Sequence, residues 1–176
     1  MERLLAGFSN IPLPLILLTL AVTPAVCEEF FFRGFLFQSL RDRLKGWGVV
    51  VTTALLFGLF HVATPSVLSP ERFLPSTFMG LALGWVCLRT GSVLPGMVLH
   101  ACHNGLLLTL LCYRDAIMAN GWGVFDQQRL PWWWLAVGFA LVFVGGMLVY
   151  VSTGNGFQRS VKAKAPKGEV GSLPSQ

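Results

Sequence analysis

Residues 11–40 read IPLPLILLTL AVTPAVCEEF FFRGFLFQSL, an apolar run with only three charged side chains, Glu28, Glu29 and Arg33. About 20 consecutive apolar residues are enough for a helix to cross a bilayer, so this run predicts a membrane helix. An ionisable side chain at the centre of such a helix costs about 2.5–3.5 kcal/mol on insertion scales. The three charges therefore need a structural or a chemical reason.

The whole chain has the composition of a membrane protein. It has 176 residues, of which 54% are hydrophobic and 12% charged, and its mean hydropathy is +0.65. A soluble domain carries about 25% charged residues. The low charge excludes an ordinary water-soluble globule, and the predominance of apolar residues excludes a disordered chain. Four cysteines are too few for a disulfide scaffold, and the lack of CxxC spacing gives no support to a thiolate metal site. No alternating strand pattern occurs, so the prediction is an all-α, polytopic membrane helical bundle with one domain over residues 1–151.

The apolar segments predict about five transmembrane helices. Small residues in these segments permit close helix packing in lipid, and Pro24 predicts a break in the first helix. The predicted spans cover residues 11–40, 47–64, 73–88, 93–113 and 132–151, with Gly80, Gly84, Gly138 and Gly145 as packing positions.

The basic residues between these spans predict the orientation of the chain. They divide eight to four between the two sides, which puts the C-terminus in the cytoplasm. The bulky Val26 before Cys27 disfavours cleavage of a signal sequence, so the first helix should be retained. Residues 152–176 form a basic tail that we expect to be disordered. This tail and the loops explain the net charge of +5 without nucleic acid. The larger group is Arg41, Arg43, Lys45, Arg89, Arg159, Lys162, Lys164 and Lys167, and the smaller is Arg3, Arg72, Arg114 and Arg129.

The charges in the first helix differ in their positions around its axis. Glu29 and Arg33 are four residues apart, so they lie on one face and can form an ion pair. Glu28 is rotated away from Arg33, which leaves one carboxylate free for use as a general base. The alternative is an ion pair that only holds helices together, in which case the second glutamate has no compensation.

Polar side chains also occur in two further spans. His61 ends the second span, and His100, His103 and Asn104 lie in the fourth, with His100 and Asn104 on one face. Taken singly, each is more typical of an interfacial histidine or of an interhelical hydrogen bond. Together with the two glutamates, they favour a site in the interior of the bundle.

The order and spacing of these residues resemble the CPBP family, which comprises CAAX prenyl endopeptidases and bacteriocin-processing or immunity proteins and is also called the Abi family. The likeness covers residues 23–110 and lies in three motifs. Glu28 to Arg33 form EExxxR, Phe57 to His61 form FxxxH, and His100 to Asn104 form HxxxN.

This resemblance implies an intramembrane endopeptidase. Glu28 with His61 would activate a water molecule, and His100 with Asn104 would stabilise the oxyanion. Glu29 and Arg33 would be a supporting pair. The cofactor is either none or a divalent metal such as zinc, for which Glu28, His61 and His100 would be the candidate ligands. We favour water activated directly by the glutamate.

The expected localisation is integral and multi-pass, in the plasma membrane if the source is prokaryotic. The expected partners are the lipid bilayer and a membrane-associated peptide or protein substrate. Two other functions remain open. One is a non-proteolytic immunity or scaffold protein that binds a partner through the same polar cluster, and the other is an ion or proton pathway.

Overall fold

The computed structural model describes residues 11–62, 70–119 and 132–153, and every regular element in these ranges is helical. The all-α prediction is therefore confirmed for the described residues. We label the helices α1 (Leu13–Leu40), α2 (Trp47–Val62), α3 (Phe73–Thr90), α4 (Leu94–Cys112), α5 (Arg114–Ala119) and α6 (Trp132–Thr153), and a 3-10 turn at Pro70–Arg72 leads into α3.

A long helix lies at each of the five predicted spans. Two of them, α1 with 28 residues and α4 with 19, are long and apolar enough to cross a membrane. Helix α2 is apolar but has 16 residues, so its length alone does not establish a crossing. The five-span arrangement thus stays a prediction, and residues 154–176 of the predicted tail lie outside the described residues.

Helix α1 is continuous, so the predicted break at Pro24 is wrong. A π-helical segment, Leu18–Val22, comes just before the proline and widens the backbone there. This widening accommodates the missing N–H and the ring of Pro24, which otherwise disrupt an α-helix. The Thr23 hydroxyl donates a hydrogen bond of 2.8 Å to the Leu18 carbonyl. A second π-helical segment, Phe30–Leu36, contains Arg33.

The closest helix packing is between α2 and α3, where small residues meet. A Cβ atom on Gly80 would lie 2.9 Å from the Cα atom of Ala54, and one on Gly84 would lie 3.2 Å from Cγ1 of Val50. The predicted packing role is therefore confirmed for these two glycines. A Cβ atom on Gly145 would meet no described atom within 4 Å, so the packing role of Gly145 stays a prediction. The surroundings of Gly138 lie outside the description.

An apolar cluster joins the end of α1 to the start of α2 and the end of α3. It consists of Phe37, Val49, Val50 and Cys87. One turn beyond it, α3 ends at Gly91, whose left-handed backbone (φ 68°) closes the helix.

The C-terminal end of α6 lies at the same level. Arg89 donates hydrogen bonds of 3.1 Å to the Tyr150 carbonyl and to the Thr153 hydroxyl. The last carbonyls of a helix have no partner within it, so this arginine stabilises the end of α6. The C-terminal ends of α3 and α6 therefore share one side of the bundle.

Candidate active site

The centre of the site is an ion pair on α1 that is completely buried. Nη1 of Arg33 lies 2.5 Å from Oε1 of Glu29, and both side chains have no exposed surface. Nη2 of Arg33 donates a 3.0 Å hydrogen bond to the carbonyl of Gly80 on α3. The guanidinium also lies over the ring of Phe57 on α2, 4.8 Å from its centroid. This pair, which the four-residue spacing predicts, thus connects three helices.

His100 on α4 contacts the same carboxylate. Its ring is 3% exposed, and Nδ1 donates to Oε1 of Glu29 at 3.2 Å. One turn earlier on α4, a Cβ atom on Gly96 would lie 3.1 Å from Oε2 of Glu29. The absence of a side chain at Gly96 gives the carboxylate room between α1 and α4.

His61 at the end of α2 is held by its own helix. Its Nδ1 donates a 2.9 Å hydrogen bond to the carbonyl of Phe57, one turn earlier. Its ring packs against the ring of Phe57, with centroids 4.4 Å apart. These two contacts direct the other nitrogen, Nε2, toward α1.

Glu28 lies where the two histidines converge. Its Oε2 is 3.6 Å from Nε2 of His61 and 3.9 Å from Nε2 of His100. This oxygen is buried and accepts no hydrogen bond from any described residue, although the side chain as a whole is 20% exposed. The structure therefore leaves Glu28 outside the ion pair of Glu29, as the helical positions predict.

The hydrogen bonds indicate which ring nitrogens carry protons. A carbonyl and a carboxylate accept hydrogen bonds, so Nδ1 is the donor in both His61 and His100. In a neutral ring the other nitrogen is then an acceptor. Three acceptors consequently face one another: Oε2 of Glu28 and the two Nε2 atoms. Such a group binds a molecule that donates hydrogen bonds to it, such as water.

The same atoms are also the candidate ligands of a divalent metal. Within the described ranges, no three histidine, cysteine, aspartate or glutamate side chains are arranged so that they could hold a metal ion. The ligand set of Glu28, His61 and His100 that the resemblance implies therefore stays a prediction.

Asn104 is placed one helical turn after His100. It is half-buried, and its side-chain amide makes no hydrogen bond to a described residue, so the amide N–H groups are available to a ligand. The structure records no contact of Asn104 with the glutamates. His103 is exposed and lies outside the cluster.

Two residues of the site were not among the predicted site residues, although Phe57 begins the FxxxH motif. Phe57 contacts Arg33, His61 and His100, the last with ring centroids 5.7 Å apart. Gly96 forms the wall behind Glu29. The spacing could have indicated both, because each lies four residues, about one helical turn, before a histidine of the site.

The fold and the site together define a class, that of helical proteins with a buried glutamate–histidine cluster between their helices. The profile of the family described as "Type II CAAX prenyl endopeptidase Rce1-like" matches residues 10–106, more than half of the chain. The chain belongs to this family, which is a family of proteases. The resemblance to CAAX prenyl endopeptidases is confirmed, and the family and the two long apolar helices point to a membrane protein.

A curated relative is similar over much of the chain. The uncharacterized protein YyaK of Bacillus subtilis (strain 168) is 28% identical over 130 residues, which cover 70% of this chain and 43% of YyaK. The chain therefore matches less than half the length of that relative. No solved structure matches the chain.

Proposed function

We propose that the protein is an intramembrane endopeptidase that hydrolyses a peptide bond near a membrane-embedded or lipidated C-terminal segment. The observation that carries this proposal is the convergence of Oε2 of Glu28 with Nε2 of His61 and Nε2 of His100. A buried carboxylate oxygen that accepts no hydrogen bond from a described residue is suited to take a proton from a nucleophile. Membership of a protease family supports the same reaction.

In this proposal a water molecule lies between Glu28 and His61. Their facing atoms are 3.6 Å apart, so a water oxygen can lie about 2.8 Å from each and donate one hydrogen bond to each. Its lone pairs then face the carbonyl carbon of the substrate. As the oxygen–carbon bond forms, one water proton moves to Oε2 of Glu28 and the carbonyl oxygen becomes an oxyanion.

Asn104 is the proposed donor to this oxyanion. Its amide is not engaged by a described residue, and the helical spacing puts it on the face of α4 that carries His100. His100 can add a second donor from Nε2 only when its ring is protonated on both nitrogens, because Nδ1 is already committed to Glu29. When the carbon–nitrogen bond breaks, a proton must reach the leaving nitrogen.

The proposed substrate is a membrane-associated peptide or protein. Beside the site, α1 presents the exposed aromatic rings of Phe30, Phe31 and Phe35. A bound peptide or lipid chain that packs on these rings would bury their exposed apolar surface. Phe32 and Phe37 are buried and belong to the packing of the bundle.

Cleavage by the purified protein tests this function. We expect hydrolysis of a peptide that carries a lipidated C-terminal segment, and we expect it to continue in the presence of a strong chelator. His61→Gln should lower kcat by about 10²–10⁴-fold, because it removes one of the two groups that orient the water. The assay compares the lipidated peptide with its unmodified analogue. Loss of activity in chelator that zinc restores would replace the glutamate mechanism with a metal mechanism. Full cleavage activity of the His61 variant would contradict the role of His61 in orienting the water. A role in the cell that does not need Glu28, without any cleavage, would support the scaffold alternative.

We also propose a multi-pass arrangement with the C-terminus in the cytoplasm. The contact of Arg89 with Tyr150 puts the ends of α3 and α6 on one side, and the sequence predicts the larger group of basic residues on that side. A fluorescent protein fused after Gln176 should therefore fluoresce in cells, and alkaline phosphatase fused at the same point should be inactive. The reverse pattern would invert the topology.

A further inference from the structure

The contact between Glu29 and His100 is not explained by an ion pair that only supports α1. We propose that Glu29 is a positioning residue that fixes the tautomer of His100, so that Nε2 of His100 accepts the proton taken from water and passes it to the leaving nitrogen. This inference rests on the proposed endopeptidase function.

The hydrogen-bond partners determine the tautomer. Oε1 of Glu29 accepts from Arg33 and from Nδ1 of His100, the latter at 3.2 Å. A carboxylate oxygen cannot donate, so Nδ1 carries the proton. Nε2 then holds a lone pair and faces Oε2 of Glu28 at 3.9 Å. A free imidazole side chain prefers the opposite tautomer, with the proton on Nε2. The protein therefore selects the less favoured form.

Three helices prevent Glu29 from leaving this position. Arg33 holds it from the same helix and is itself bound to the carbonyl of Gly80 on α3. On α4, Gly96 lies beside Oε2, so that a Cβ atom added there would be 3.1 Å from this oxygen. The carboxylate has no exposed surface, so no bulk water competes for Nδ1 of His100. Such a carboxylate fixes an imidazole and stabilises the imidazolium that forms when the ring accepts a second proton.

The proton can then follow a complete path. It moves from the attacking water to Oε2 of Glu28 as the oxygen–carbon bond forms. It passes to Nε2 of His100 through a bridging water, since 3.9 Å is too long for a direct hydrogen bond. The imidazolium, paired with Glu29, donates to the oxyanion and gives its proton to the leaving nitrogen as the carbon–nitrogen bond breaks. His100 returns to its neutral form.

Nitrogen NMR of histidine-labelled protein in micelles reads the tautomer without any cleavage assay. The chain has three histidines, so the spectra of His103→Gln and of the double variant His61→Gln/His103→Gln assign the His100 signals by elimination. We expect the neutral ring of His100 to carry its proton on Nδ1. A proton on Nε2 would overturn the inference, even if the protein cleaves peptides. If the protein cleaves nothing, the proposed function fails, and the same spectra still decide the tautomer.

Kinetic measurements distinguish a role of Glu29 in positioning His100 from a role that only stabilises the fold. Glu29→Gln keeps the shape but loses the charge that stabilises the imidazolium. We expect kcat to fall by roughly 10²–10⁴-fold with KM nearly unchanged. The control is Thr53→Val, which removes a buried hydroxyl that bonds only within its own helix, and which should leave kcat unchanged. Equal kcat for Glu29→Gln and the wild type would contradict the inference.

A matched glycine pair gives the same test if Glu29→Gln does not fold. In Gly96→Ala the new Cβ atom lies 3.1 Å from Oε2 of Glu29, so the carboxylate must move by a few tenths of an ångström, which disturbs its hydrogen bond with His100. In Gly105→Ala, on the same helix, the new atom makes ordinary contacts of 3.9 Å with Ala21 and Leu17. We expect kcat to fall at least tenfold in the first variant and to stay near the wild-type value in the second. Equal effects of the two substitutions would overturn the assignment.

Discussion

Glu28→Gln is expected to lower kcat for peptide hydrolysis by about 10²–10⁴-fold without loss of the folded structure. The amide has the shape of the carboxylate but cannot take a proton from water. Folding should lose little, since Oε2 of Glu28 accepts no hydrogen bond from a described residue and the side chain lies outside the buried ion pair. The measurement is the steady-state cleavage rate together with the thermal unfolding midpoint in the same detergent.

The control for this variant is Glu71→Gln, in the exposed turn before α3. It removes the same charge from a position that contacts no residue of the site, so the rate should stay at the wild-type value. Retention of more than a tenth of the wild-type kcat by Glu28→Gln would contradict the role of Glu28 as the base. An unfolding midpoint well below that of the Glu71 variant would show instead that Glu28 supports the fold.

Contacts within one helix could be predicted from the sequence, because spacing determines them. Glu29 and Arg33 are four residues apart and form the expected ion pair, and Glu28 remains outside it. The long apolar runs likewise predict the positions of α1 and α4. In both cases the period of the helix contains the required information.

Contacts between helices could not be predicted in this way. The contact of His100 with Glu29 depends on how closely α4 approaches α1. Gly96 permits this close approach, but a glycine in the sequence does not by itself predict it. The continuous course of α1 through Pro24 depends on a π-helical segment that no residue pattern indicated. The tautomers of His61 and His100 follow only from their partners, so the proposed proton path rests on contacts between helices and not on the motifs.

Arg33→Met is expected to lower the free energy of unfolding by about 3–5 kcal/mol, because it leaves Glu29 buried without its cation. Neither side chain has exposed surface, so water cannot replace the guanidinium. The methionine also loses the hydrogen bond to Gly80 and the contact over the ring of Phe57. Unfolding in detergent, followed by denaturant or by temperature, measures the loss.

A double substitution distinguishes the missing charge from the missing packing. In Glu29→Leu/Arg33→Met no charge remains buried at this position, and a well-packed apolar pair often replaces a buried ion pair without loss of stability. We expect the double variant to recover most of the stability and none of the activity, because Nδ1 of His100 then has no acceptor. Arg41→Met, at an exposed position directly after α1, should change the stability little. A double variant as unstable as Arg33→Met alone would show that packing by Arg33, and not compensation of the Glu29 charge, stabilises the bundle.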